Sequence, residues 1–411
     1  MLLALVSGFG LGALARALLP TRVLDLLVDY VTQPIGQIFL RLLFVLVVPL
    51  LFSALVVGIA ELDLTQLGRL GRRTLGYTLV VSLISVVIGL VLVNVVGPGR
   101  GVSPDVLANA KSPLGTGGAK GPTDLNAVDL IVNMVPKNAV AAAAEGDMLA
   151  LIVFALLFGI ALANTKSESA QQLRAMIGGL YDVCMTWIDA VLRLVAPFGV
   201  FSLLFTMASR IGASLLLNVG AYALVVVAGL ALHNFGVYSL SVRLLGGMSP
   251  LAFFRGVRVA MLTAFSTASS SATLPTAIKV AEEDLKLPPH VARFVLTAGS
   301  AMNQNGTALF EGVTVLFLAQ VAGVELSLDK QFVVMLISVL AGVGTAGVPA
   351  GSIPVIAMIL GMLGVPPEGI GLVMGVDRLL DMCRTTVNVT GDLAAAVYVA
   401  RGEPELPQST P

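Results

Sequence analysis

The sequence predicts an all-α integral membrane protein, and three observations predict it. Of 411 residues, 57% are hydrophobic and 12% charged, whereas a soluble domain carries about 25% charged residues. The mean hydropathy is +0.95. Several uncharged runs approach or exceed the ~20 apolar residues that a bilayer core requires. A soluble enzyme is thereby excluded. The balance of 24 basic against 24 acidic residues leaves no electrostatic footprint for nucleic acid. Cys184 and Cys383 lie in apolar surroundings and supply neither a disulfide framework nor a metal cluster.

Met1 to Ala15 has no basic residue ahead of its apolar run, unlike a secretory signal, and reads as a first, short span. Leu42 to Ala60 is the second span, Thr74 to Gly99 the third, Met148 to Thr165 the fourth and Leu194 to Ser209 a shorter fifth. Ile211 to Val242, the sixth, is long enough to cross with tilt. Residues 97–147 mix Gly, Pro, Lys and Asp and read as an extramembrane crossing, and the proline-bearing tail 402–411 reads as disordered. Arg69, Arg72 and Arg73, then Lys166 and Arg174, then Arg243, Arg255 and Arg258 follow alternate spans. The positive-inside bias therefore expects both termini in the cytoplasm of a multi-pass protein of the inner (plasma) membrane.

The carboxy-terminal half departs from plain helices. Val259 to Pro275 is uncharged but rich in hydroxyls, with Ser269-Ser270-Ser271 at its apex. Gln331 to Pro367 is uncharged and too long for one simple span, with Gly347-Val348-Pro349-Ala350-Gly351-Ser352 near its middle. Both read as hairpins that enter the membrane and turn back. Non-helical backbone at membrane depth needs protein or a wet cavity around it, and two such breaks point to a transporter's binding site. The plainer reading is that Ser and Gly let helices pack closely. Between the hairpins, Asn303-Gln304-Asn305-Gly306-Thr307 interrupts an apolar stretch. An unwound turn there would expose carbonyl, amide and hydroxyl oxygens suited to a hard cation; otherwise the amides bond neighbouring helices.

The last span carries Asp377, Arg378, Asp381, Arg384, Thr385, Asn388 and Asp392. At ~100° per residue, Asp377, Asp381, Arg384, Asn388 and Asp392 share an arc of about 80°, and Arg378 lies off it. Charge at the bilayer centre costs at least ~2.5–3.5 kcal/mol on insertion scales, so this stripe faces something polar. It is either a mutually satisfied ion-pair ladder or a site for a zwitterion. In the second reading Arg384 grips a carboxylate in its fork, Asp381 takes an ammonium, and Asp392 beside Asn388 suits a desolvated cation.

Four segments, Ser269-Ser270-Ser271-Ala272-Thr273-Leu274-Pro275, Asn303-x-x-Gly306-Thr307-Ala308-Leu309, Gly344-Thr345-Ala346-Gly347-Val348-Pro349 and Asp381-Met382-Cys383-Arg384-Thr385-Thr386-Val387-Asn388-Val389-Thr390-Gly391-Asp392, occur in this order. Together they resemble the dicarboxylate/amino acid:cation symporters, the glutamate transporter family, in its prokaryotic branch. The resemblance covers nearly the whole chain. It implies eight transmembrane helices plus two re-entrant hairpins arranged as inverted repeats. It also implies a homotrimer in which a transport domain moves as an elevator against a scaffold. On that pattern residues 1–73 and 101–210 are scaffold, while 74–100 and 211–401 are transport domain. The latter comprises helix 6, a first hairpin at about 251–288, helix 7 at about 290–323, a second hairpin at about 328–364 and helix 8 at about 366–401.

Carried over position by position, the resemblance implies that Arg384 binds a substrate's side-chain carboxylate and Asp381 its amino group. Thr385, Asn388, Thr307 and Ser270 are further ligands, and backbone at Val348, Pro349 and Gly351 closes the site. The pair Arg384 and Asp381 favours an acidic amino acid. One sodium position, formed by Gly299, Asn303, Asn388 and Asp392, keeps its side chains. At the other, Asn305 stands where sodium-driven members carry Asp, and Val81, beside Ser82, falls where they carry a hydroxyl. Losing a charge and an oxygen weakens a hard-cation site. Gln304 replaces the usual Met, and Ala268 and Met382 stand where some relatives carry arginine. Glu311 occupies the position where proton-coupled relatives carry a glutamate. Burial would favour its neutral form, so it could carry a proton inward; alternatively it pairs with Arg293.

The expected function is secondary active import of glutamate or aspartate, with protons as the coupling ion, no organic cofactor, and the lipid bilayer as surroundings. A sodium-coupled carrier, a C4-dicarboxylate carrier and an anion-conducting channel are the competing readings. An intramembrane serine enzyme lacks a base, because His233 sits in an apolar span and His290 in a loop.

Overall fold

In a medium without water, each backbone N–H and C=O must find its partner inside the protein, and a helix does this within one segment. The computed structural model describes residues 2–60, 69–101, 135–145, 148–211, 214–344, 352–401 and 403, and all regular structure among them is helical. The first part of the chain forms α1 (Leu2–Leu18), α2 (Thr21–Leu27), α3 (Gln33–Phe44) and α4 (Val47–Ala60), with one π turn, Val28–Thr32, joining α2 to α3. The second expected span is thus split at residues 45–46. Pro49 is the reason: it cannot donate to the carbonyl of Val45, but it fits the first turn of a new helix.

Among the described residues, two helices are long and apolar enough by themselves to cross a bilayer, Leu70–Val96 with a mean hydropathy of 2.9 and Leu217–Leu244 with 1.7. The first lies in α5 (Arg69–Val96). Then come α6 (Ala139–Glu145), α7 (Met148–Asn164), α8 (Glu168–Ala190) and α9 (Ala196–Ile211). Of the expected crossing at 97–147, residues 102–134 and 146–147 lie outside the described residues, as do Gly402 and 404–411 of the expected tail. The expected fifth span continues back without a break through the π segment Val191–Val195 into α8. Pro197 has no N–H for the carbonyl of Arg193, and the ladder widens by one residue just before it.

α9 lies along α1. Gly8 and Gly12 let the two backbones meet, since a Cβ on either would fall 2.6 Å from the carbonyl of Phe201 or Phe205. The second long helix combines α10 (Ser214–Ala231), the π segment Leu232–Val237 and α11 (Tyr238–Leu244).

The carboxy-terminal half forms α12 (Pro250–Thr267), α13 (Ser270–Lys279), α14 (Pro289–Met302), α15 (Asn305–Val321), α16 (Leu328–Gly344), α17 (Ser352–Met362) and α18 (Ile370–Ala400). α12 and α13 pack on each other across a tight break. There Ala268 adopts φ 49°, and the Ser269 side chain accepts from the N–H of Ala272. The serine triplet is therefore not all apex: Ser269 caps α13, while Ser270 and Ser271 already belong to it. α16 and α17 likewise pack on each other. The residues joining them, 345–351, which include Val348, Pro349 and Gly351, lie outside the described residues. α15 is buried along almost its whole length, between α5, α16 and α18. Against α5 the approach is close: a Cβ on Gly89 would fall 2.9 Å from the Val313 side chain and 3.2 Å from the Leu309 carbonyl. α18, unbroken over 31 residues, packs on α12, α14 and α15, so its polar stripe looks into protein.

Candidate functional site

Asp377, Asp381, Arg384, Asn388 and Asp392 are all buried, as their shared arc on α18 expects. Arg378, off the arc, keeps its side chain 55% exposed and reaches Asp381 only at 3.9 Å. Arg384 is one of the largest fully enclosed side chains. Its Nη2 donates to Asp381 Oδ1 at 2.7 Å and to Asp377 Oδ1 at 3.3 Å, and its Nη1 donates to Ser352 Oγ at 2.7 Å. The guanidinium carbon sits 3.9 Å from the centre of the Phe310 ring. A buried cation persists only with such compensation. Its Nε has no hydrogen-bond partner among the described residues, so part of the fork is unspent.

The break between α14 and α15 faces this stripe. Asn303 and Gln304 leave helical geometry, with ψ of 71° and 49°. Asn388 stitches the opening: its Oδ1 accepts from the Gly306 N–H at 2.7 Å, and its Nδ2 donates to Gln304 Oε1 at 2.5 Å and Thr307 Oγ1 at 3.1 Å. Gly306 is required by proximity, since a Cβ there would fall 2.7 Å from the Arg384 carbonyl. Thr385 is buried beside Arg384 in the chain. Ser270 is buried at the start of α13, which packs on α18, and its hydroxyl has no partner among the described residues. Val348, Pro349 and Gly351 lie outside the described residues.

Asn303 donates from Nδ2 to Asp392 Oδ1 at 2.9 Å, while its own Oδ1, buried, has no partner among the described residues. Gly299 lies directly against the Asp392 carboxyl. An unpartnered amide oxygen beside a buried carboxylate is the donor chemistry of a hard-cation site. Asn305 differs. Its Oδ1 accepts from the Ser82 hydroxyl, its Nδ2 donates to Tyr238 Oη at 3.0 Å, and its carbonyl accepts from Ser85 Oγ at 2.7 Å. Val81 is a buried apolar neighbour, and the α5 hydroxyls reaching Asn305 come from Ser82 and, one turn on, Ser85.

Glu311 lies one turn past Thr307 on α15, completely buried, and neither carboxyl oxygen has a partner among the described residues. The alternative of a pair with Arg293 is overturned, because Arg293 Nε donates to Glu282 at 2.8 Å and is exposed. Ala268 forms the left-handed turn of the first hairpin, and Met382 is half-buried. His233 is buried, has no hydrogen-bond partner among the described residues, and meets Tyr238 edge-on at 4.8 Å. In the sequence Ser352 stood out only as the end of the second apex, with no ligand role, and Ser85 and Tyr238 did not stand out at all. Asp377 shared the arc of the stripe and was legible; Tyr238 and Ser85 sit in apolar helices with nothing to mark them.

The profile of the family described as "Sodium:dicarboxylate symporter family" matches residues 1–402. The chain is 33% identical to the proton/sodium-glutamate symport protein of Bacillus caldotenax over 372 residues, 90% of this chain and 87% of that protein. It is 33% identical to the proton/glutamate-aspartate symporter of Escherichia coli (strain K12) over 406 residues, 98% of this chain and 92% of that one. It is 31% identical to an excitatory amino acid transporter of Caenorhabditis elegans over 97% of this chain and 87% of that one. Matches of this extent, over a helical core whose polar stripe faces inward, make the chain a member of the sodium:dicarboxylate symporter family, an integral membrane secondary transporter and not an enzyme.

Proposed function

We propose that this protein imports glutamate and aspartate with protons as the coupling ion. The observation that carries the substrate reading is the buried junction of Arg384 with Asp381 at 2.7 Å. These are the two groups a zwitterion with an acidic side chain needs, one for its carboxylate and one for its ammonium. A plain C4-dicarboxylate would have no use for Asp381. The relatives' names, proton/sodium-glutamate and proton/glutamate-aspartate symporters, agree with this substrate class. Thr307, Thr385, Asn388 and Ser270 complete the proposed pocket, with backbone at Val348, Pro349 and Gly351.

The coupling ion is argued from two residues. Glu311 is fully enclosed in α15 and neither of its carboxyl oxygens has a hydrogen-bond partner among the described residues, which suits a group that takes up and releases a proton during the cycle. Asn305 is neutral and already satisfied on both sides of its amide and at its carbonyl, which leaves a cation little to coordinate there. Sodium-coupled transport is the second reading. It is favoured by the unpartnered Asn303 Oδ1 beside Asp392, where Gly299, Asn303, Asn388 and Asp392 would hold the ion. We assign residues 1–73 and 101–210 to a scaffold and 74–100 and 211–401 to a moving transport domain, in a trimer with cytoplasmic termini. Its two helical hairpins are read as re-entrant among eight spans.

Uptake of labelled glutamate and aspartate into proteoliposomes tests this. Accumulation should follow an inward proton gradient and persist in sodium-free buffer. Transport that vanishes without sodium at every pH would defeat proton coupling, and transport of succinate alone would defeat the substrate class.

A further inference from the structure

The Ser352 hydroxyl is a buried group to which the proposed transport cycle gives no task. Ser352 opens α17 and is 3% exposed. Its Oγ accepts from Arg384 Nη1 at 2.7 Å, and no other hydrogen bond of Ser352 exists among the described residues. A hydroxyl both accepts and donates, so the hydrogen on Oγ remains unspent. On Arg384 the Nη2 group is already shared between Asp377 and Asp381, leaving the second Nη1 hydrogen and the Nε–H open. A carboxylate approaching Nη1 arrives beside Oγ, within reach of its hydrogen. Donation from the guanidinium into Oγ also polarises the hydroxyl and makes it a stronger donor.

Resting on the acidic-amino-acid reading, we propose that Ser352 is a substrate ligand: its hydroxyl donates to the side-chain carboxylate that Arg384 holds, and so sets selectivity for an acidic side chain. One carboxylate oxygen takes Nη1 and the other takes the Ser352 hydrogen. A side-chain amide in the same place would turn N–H groups toward these donors, and the serine thus adds to the rejection of asparagine and glutamine.

The test is initial-rate uptake of labelled aspartate and glutamate by wild type, Ser352→Ala and Ser352→Thr in proteoliposomes. Ser352→Ala should raise KM about tenfold, the order expected for one hydrogen bond to a charged group, with maximal rate held within about twofold. Ser352→Thr, which keeps a hydroxyl, should return KM most of the way to wild type. An unchanged or lowered KM in Ser352→Ala would overturn the proposal. A lowered value would mean that the serine merely occupies Arg384 in the empty carrier and competes with substrate. A fall in maximal rate shared by both variants would overturn it too, by assigning the effect to packing of α17. Wild type that takes up neither acidic amino acid defeats the functional reading itself, whereas wild-type uptake with unaltered Ser352→Ala defeats the serine's role alone.

Discussion

Arg384 Nη2 and Asp381 Oδ1 lie 2.7 Å apart inside the protein, one turn from each other on α18. The two groups assigned to opposite charges of a zwitterion are thus paired with one another. A ligand has to part them, and only one that brings both an ammonium and a carboxylate compensates both at once. Removing one member leaves a buried charge behind, which is more costly than never having had the pair.

Arg384→Ala should therefore lower affinity for glutamate and aspartate by at least ~100-fold, because a charge-assisted fork is lost and Asp377 and Asp381 are left with only the largely exposed Arg378, 3.9 Å from Asp381. Neutral amino acids should compete better in this variant than in wild type. Competition binding to the purified carrier measures both, and retained aspartate affinity would remove Arg384 from the site.

Glu311→Gln keeps the shape and removes the titratable group. If this carboxyl carries the coupling proton as proposed, wild-type uptake should rise as external pH falls. The variant should show a flat pH profile and exchange internal for external substrate without uphill accumulation. Parallel pH profiles in both proteins would reduce Glu311 to a packing residue.

Asn305→Asp restores a carboxylate among Ser82, Ser85 and Tyr238, whose oxygens already converge on that position. A formal charge with hydroxyl ligands is the start of a hard-cation site. Sodium should stimulate uptake by the variant more strongly than by wild type, read as initial rate against sodium concentration at fixed pH. An identical sodium response would show that residue 305 does not govern ion choice.

Composition and the inward arc of α18 were legible in the sequence, because a membrane allows so few solutions: long apolar runs become helices, and charges placed among them share one protected face. The unwound pair Asn303-Gln304 was also legible, since three amides and a glycine do not suit a lipid-facing helix. The exact breaks were less so. Pro49 and Pro197 fix where a helix splits or widens, but whether a proline starts a new helix or sits in a continuous one depends on what packs beside it. The serine triplet showed that a turn was near, yet only the backbone at Ala268 decided that Ser269 caps the next helix.

What tertiary structure alone decided is which polar groups meet across distant segments. Ser352 on Arg384, Ser82 and Ser85 on Asn305, and Arg293 turning to Glu282 while the Glu311 carboxyl makes no hydrogen bond among the described residues are relations between residues 11 to 223 positions apart. Periodicity reports the face a side chain occupies. It carries no information about the partner that face will find, because that is set by how α5, α15, α17 and α18 close on one another, and it is there that a buried donor is either satisfied or left waiting for a ligand.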